Sequence, residues 1–76
     1  MSEFVTETIE SNVQILCLNR PAKKNAITLE MYQALADALH RAQSNSEIKA
    51  TLIHGAGGDF SSGNDINEFI HIAQTP

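Results

Sequence analysis

The sequence predicts an α/β chain that opens a domain without closing it. Three observations carry that reading. Two runs rich in β-branched and apolar residues flank a two-residue polar turn near the start. A helix-period apolar stripe then follows a threonine that can cap it. Next comes a short apolar strand leading into a segment with four glycines in nine residues.

The elements follow in order. Phe4-Val5-Thr6-Glu7-Thr8-Ile9 reads as a strand, Ser11-Asn12 supplies turn chemistry, and Val13 to Leu18 (VQILCL) is a nearly continuous apolar run. A hairpin is expected, with its second strand covered on both faces. Asn19 to Asn25 is a polar loop in which Pro21 ends the strand and holds Arg20 extended. Thr28 caps the following helix, Glu30 lies in its positive first turn, and Ile27 can staple onto Tyr32. Tyr32, Leu35, Ala36, Leu39 and Ala42 form the expected buried stripe, and Ser44-Asn45-Ser46 ends it. Ala50 to His54 (ATLIH) is expected to be a second buried strand, so that strand, helix and strand make a β-α-β crossover. Asp65 and Glu68 stand at capping-box spacing before a short helix expected from Ile66 toward Ala73.

Composition narrows the function. At 76 residues a lone core rarely yields more than about 3–5 kcal/mol without staples. The single cysteine, Cys17, cannot form an intrachain disulfide, and no Cys/His spacing suits a structural zinc. The chain is therefore expected to self-associate or to be part of something larger, and residues 1–76 read as the N-terminal part of one domain. A net charge of −4 argues against nucleic-acid and membrane-surface partners, although Arg20, Lys23 and Lys24 cluster three of the five basic residues. No apolar run nears the roughly 20 residues of a membrane span, and Met1-Ser2-Glu3 lacks a signal-peptide pattern. The expected location is the cytoplasm.

The glycine-rich segment, Gly55 to Asp65, lies where α/β proteins present free N–H groups to anions and reacting carbonyls. It is not a dinucleotide fingerprint, because Phe60 stands where glycine is needed. It is not a P-loop, because the chain has no Gly-Lys pair. Cys17 reads as an inert core thiol, and His40, His54 and His71 as structural or surface residues.

Asn19-Arg20-Pro21, Lys24-Asn25-Ala26-Ile27, a capped helix, a strand and Phe60-Ser61-Ser62-Gly63-Asn64-Asp65-Ile66 stand in the order and spacing of one known family. Over nearly its whole length the chain resembles the N-terminal part of the enoyl-CoA hydratase/isomerase (crotonase) family. The resemblance implies the start of a crotonase-like ββα spiral and an acyl-CoA thioester as ligand. Coenzyme A then enters as part of the substrate, with no separate cofactor. It implies that the Asn64 backbone N–H is one of two oxyanion-hole donors. Lys23, Lys24, Ala26, Ser62, Gly63, Asp65 and Ile66 become the other expected substrate-binding positions, with the basic cluster facing the phosphates of CoA. The family's catalytic carboxylates and second donor belong downstream of Pro76, so the chain alone is expected to be inactive. The Ser-Ser-Gly-Asn-Asp form suits the Δ3,Δ2-enoyl-CoA isomerase branch at least as well as the hydratases. A non-catalytic, self-associating module built on the same fold start is the alternative.

Overall fold

In a computed structural model, residues 3–67 are described. Strand β1 (Val5–Glu10) turns into β2 (Val13–Leu18), a one-turn 3-10 segment (Pro21–Lys23) leads to helix α1 (Leu29–Gln43), and β3 (Ala50–Gly55) follows. The sheet order is β1-β2-β3, antiparallel on one side of β2 and parallel on the other. This is the expected small α/β piece.

The hairpin turns at Ser11 and Asn12, whose φ values of 50° and 69° are both positive, as a two-residue turn matched to strand twist requires. Thr28 caps α1 as expected: it is extended (φ −92°, ψ 168°) and its Oγ1 accepts from the Met31 N–H at 3.1 Å. Glu30 lies in the first turn, with His40 and Arg41 in the last, each on the side the helix dipole favours.

The core sits between α1 and one face of the sheet. Val5, Leu18, Met31 and Ala34 form it, with Phe4, Ile27 and Leu35 packed alongside. The buried face of the helix is therefore Met31, Ala34 and Ala38, rotated from the stripe expected in sequence. Tyr32 and Leu39 are exposed, and so is Ala36, while Leu35 and Ala42 are half-buried. Ala34 and Ala38 face the sheet beside Met31, and their small side chains let the helix backbone approach it. In one case the approach is direct: the buried Gln14 side chain donates to the Ala38 carbonyl at 2.8 Å.

Two further expectations are corrected. Burial alternates along β2, with Gln14, Leu16 and Leu18 buried and Val13, Ile15 and Cys17 half-buried. Helix α1 covers one face of the strand, so Cys17 is half-buried on the other, its Sγ 3.6 Å from the Leu18 carbonyl. Strand β3 is exposed from Ala50 to His54, with Leu52 at 53% and Ile53 at 37%, because it forms the edge of this sheet.

A polar network crosses the body. Gln14 Nε2 also donates to Glu7 at 2.7 Å, and its Oε1 accepts from the Thr51 hydroxyl at 2.8 Å. Arg41 donates to the other Glu7 oxygen at 2.7 Å. The hydrogen bond from Gln14, then that from Arg41, hold the Glu7 carboxyl below its ordinary pKa, against the opposing effect of burial.

Candidate functional site

Two loops meet beyond the C-terminal ends of β2 and β3. One runs from Asn19 to Thr28, the other from Gly55 to Asp65, and polar side chains join them. Asn25 is fully buried and left-handed (φ 56°), a conformation that asparagine tolerates better than most residues. Its Oδ1 accepts from the Arg20 N–H at 2.7 Å, and its Nδ2 donates to the carbonyls of Ala56 and Asp59, each at 2.8 Å. Its own carbonyl accepts from the Ser61 hydroxyl at 2.8 Å. The two Nδ2 hydrogen bonds hold the second loop to the first, and the Oδ1 bond braces the first loop itself.

Gly55 makes that approach possible. A Cβ there would lie 2.2 Å from the Asp59 carbonyl oxygen, 2.4 Å from that of Phe60 and 2.8 Å from Asn25 Nδ2. At Gly63 the requirement differs. A Cβ would meet open space, but φ is +98°, which an L side chain rarely adopts.

The glycine turn then pairs briefly with the first loop as a parallel bridge between Ile27 and Asn64. The Ile27 N–H donates to the Gly63 carbonyl at 2.8 Å and the Asp65 N–H to the Ile27 carbonyl at 2.9 Å; the Ser62 N–H donates to the Lys24 carbonyl at 3.0 Å. In a parallel bridge of this kind Ile27 uses both its backbone groups, while those of Asn64 point to the opposite side. Among the described residues the Asn64 N–H makes no hydrogen bond. The Asn64 side chain does have a partner: its Oδ1 accepts from the Tyr32 hydroxyl on α1.

The other expected site residues fall into three groups. Lys23 and Lys24 are exposed and form no ion pair among the described residues. The Lys24 N–H donates to Pro21 and the Ala26 N–H to Lys23, each at 3.0 Å, so only the carbonyls of Lys24 and Ala26 keep a spare lone pair. Ser62, Gly63 and Ile66 are exposed beside Asn64, Ile66 at 70%. Asp65 is half-buried and paired with Arg20 at 2.7 Å. Arg20 is thus separated from the two lysines: its guanidinium is held inside the loops rather than presented to a phosphate, which corrects the expectation of a three-residue basic cluster. The short helix expected from Ile66 toward Ala73 begins at Ile66 and Asn67; its remainder, with Glu68 and His71, lies outside the described residues. His54 is exposed on β3.

Sequence reasoning missed the buried Asn25, the Arg20–Asp65 pair and the Tyr32 hydroxyl. An asparagine directly before an Ala-Ile pair and a helix cap is a weak signal for the first, and nothing local signals the other two.

Comparison with known proteins places this arrangement. A profile described as enoyl-CoA hydratase/isomerase matches residues 13–76. The chain is 37% identical over 68 residues to a 1,2-epoxyphenylacetyl-CoA isomerase of Escherichia coli (strain K12), covering 90% of this chain and 26% of that one. It is 41% identical over 68 residues to enoyl-CoA delta isomerase 2 of Rattus norvegicus, covering 90% and 17%. Among solved structures, a candidate enoyl-CoA hydratase/isomerase from Acinetobacter baumannii superposes with a TM-score of 0.92 at 34% identity, covering 100% of this chain and 31% of that chain. An enoyl-CoA hydratase/isomerase from Pseudoalteromonas atlantica T6c gives a TM-score of 0.86 at 38% identity, covering 90% and 27%. The chain thus spans 17–26% of the length of those two curated relatives.

Proposed function

The chain belongs to the enoyl-CoA hydratase/isomerase family, and from that premise we propose that it supplies part of an acyl-CoA site, with the Asn64 N–H as one oxyanion donor. The observation that carries this reading is the direction of that amide. It points away from the Ile27 bridge and is not hydrogen-bonded among the described residues. A backbone donor held there can meet the negative charge that develops on a thioester oxygen when a neighbouring carbon loses a proton or gains a nucleophile. Such a donor contributes roughly 100–1000-fold to rate, because it is already oriented when the charge appears.

The remaining residues divide the work of binding. Gly63, Ser62 and Ile66 line the exposed approach to the amide. Lys23 and Lys24 project nearby as exposed cations suited to the phosphates of coenzyme A, and the Lys24 and Ala26 carbonyls can accept from its amino or amide groups. Asp65 acts through its pair with Arg20 rather than on the ligand. Coenzyme A is part of the substrate in this reading, and no separate cofactor is required. The acid/base chemistry, typically worth about 100–10,000-fold, is assigned to residues outside this chain. The exposed edge of β3 offers a pairing surface for further sheet or for a second copy.

Calorimetric titration of the wild-type protein and Asn64→Pro with crotonyl-CoA, read with the thioester carbonyl stretch in the infrared, tests the proposal. The expected result is a stretch lowered on binding to the wild type and left at its solution value with Asn64→Pro. Binding with an unshifted carbonyl in the wild type would falsify the assignment of the amide.

A further inference from the structure

We infer that Arg20 is a positioning residue that aims the Asn64 amide by clamping both ends of the bridge that carries it. The inference rests on the reading of Asn64 as a donor and explains what holds that donor still. A bridge between Ile27 and Asn64 is a weak device alone: two backbone hydrogen bonds, flanked by that from Ser62 to Lys24 and that from the Gly63 N–H to Ser61 Oγ, with Gly63 before Asn64 at a positive φ and nothing within 4 Å of where a Cβ would stand. Isolated pairings of this length are marginal in water, and a glycine hinge makes the direction of the next amide easy to change.

A single nitrogen of Arg20 secures both sides. Its Nη1 lies 3.0 Å from the carbonyl of Ala26, which precedes Ile27, and 2.7 Å from Oδ2 of Asp65, which follows Asn64. The two side chains of the ion pair are only 17% and 14% exposed, so the contact is charge-assisted and poorly screened. The guanidinium is itself held in place. It lies over the Phe4 ring at 5.6 Å, its backbone N–H donates to Asn25 Oδ1 at 2.7 Å, and its carbonyl accepts from the Lys23 and Asn25 N–H groups. The other ion pair described, Glu7 with Arg41, lacks this enclosure, since the Arg41 side chain is 52% exposed. Arg20 therefore does not contact substrate. It acts through Ala26 and Asp65.

Amide hydrogen exchange read residue by residue, without ligand, tests the clamp in Arg20→Met, Arg20→Lys and Asp65→Asn. The expected result is exchange at the Ile27 and Asp65 amides about tenfold or more faster in Arg20→Met and Asp65→Asn, with partial recovery in Arg20→Lys. The α1 amides, such as Ala38, should stay within about twofold of wild type. Unchanged exchange at Ile27 and Asp65, or acceleration there in step with Ala38, overturns the inference. Should Arg20→Met fail to fold, Asp65→Asn decides, because it removes the charge and keeps the volume. With crotonyl-CoA bound, Asp65→Asn is expected to lose most of the carbonyl shift at unchanged Kd, which a merely structural residue would not do; a retained shift overturns the inference. An unshifted carbonyl in the wild type overturns the donor reading instead, and the ligand-free exchange data distinguish the two failures.

Discussion

The body of the molecule and its loop region are held by different physics. Between α1 and the sheet, Val5, Leu16, Leu18 and Met31 are buried to about 1% exposure or less, and the dominant force is removal of apolar surface from water. Between the two loops the fully buried side chain is an asparagine, and what it offers is hydrogen bonds at fixed angles. Apolar burial is non-directional and tolerates a change of shape. The loop contacts are directional and tolerate little change. A segment that must aim one amide is built from the second kind of contact and mounted on the first.

Exchanging the two kinds of residue gives the largest expected effect. Asn25→Leu keeps a similar volume but leaves the Arg20 N–H and the carbonyls of Ala56 and Asp59 without partners, at about 1–3 kcal/mol for each group that water cannot reach. A total loss of about 3–5 kcal/mol is expected in urea unfolding, against less than about 1.5 kcal/mol for Leu16→Met in the body. Equal losses would erase the distinction. Gly55→Ala comes next, since its Cβ would overlap two backbone oxygens that no rotamer change can move. It should cost about 1–3 kcal/mol. Amide exchange should rise at Ser62 and Asp65 before it rises in α1, and a rise in α1 first would contradict the separation of the two regions.

The smallest effect sharpens the comparison from inside the body, where Gln14 and Glu7 form a polar exception. Folding lowers the Glu7 pKa, so as pH falls the unfolded chain takes up this proton first. The contribution of Glu7 to stability is complete above the ordinary glutamate value of about 4.3 and disappears as pH drops through the lowered folded value. Urea midpoints measured downward from pH 6 should decline less steeply in Glu7→Gln than in wild type. Parallel curves would mean that the contacts with Gln14 and Arg41 do not favour the charged form.

Much of this architecture was legible in the sequence because its signals are local. The Ser11-Asn12 turn, the Thr28 cap and the glycine-rich segment each depend on residues within a few positions of one another. The buried helix stripe was not legible, because Met31/Ala34/Ala38 and Tyr32/Leu35/Leu39 are both sound helical patterns. The choice between them is made by what lies across the interface, where β2 brings Gln14 to the Ala38 carbonyl. Exposure of β3 was hidden for a similar reason: an apolar run reports what a strand can bury, and its neighbours decide what it does bury. At the site, the glycines and the Asn64 position were visible as a motif. The Arg20–Asp65 pair joins residues 45 positions apart, and no periodicity spans that distance.

The hairpin turn has a role beyond reversing the chain. The Asn12 carbonyl accepts from the Lys49 N–H at 2.8 Å, and its Nδ2 donates to the Glu47 carbonyl at 2.7 Å, directly before Ala50 aligns with Val13. Parallel strands joined through a helix have no tight connection of their own to fix which residue meets which, and a slip by one would exchange the faces that Leu52 and Ile53 occupy. Asn12 thus works as an indexing tooth. The hairpin turn presents the notch, and the distant strand seats in it where its alignment is fixed.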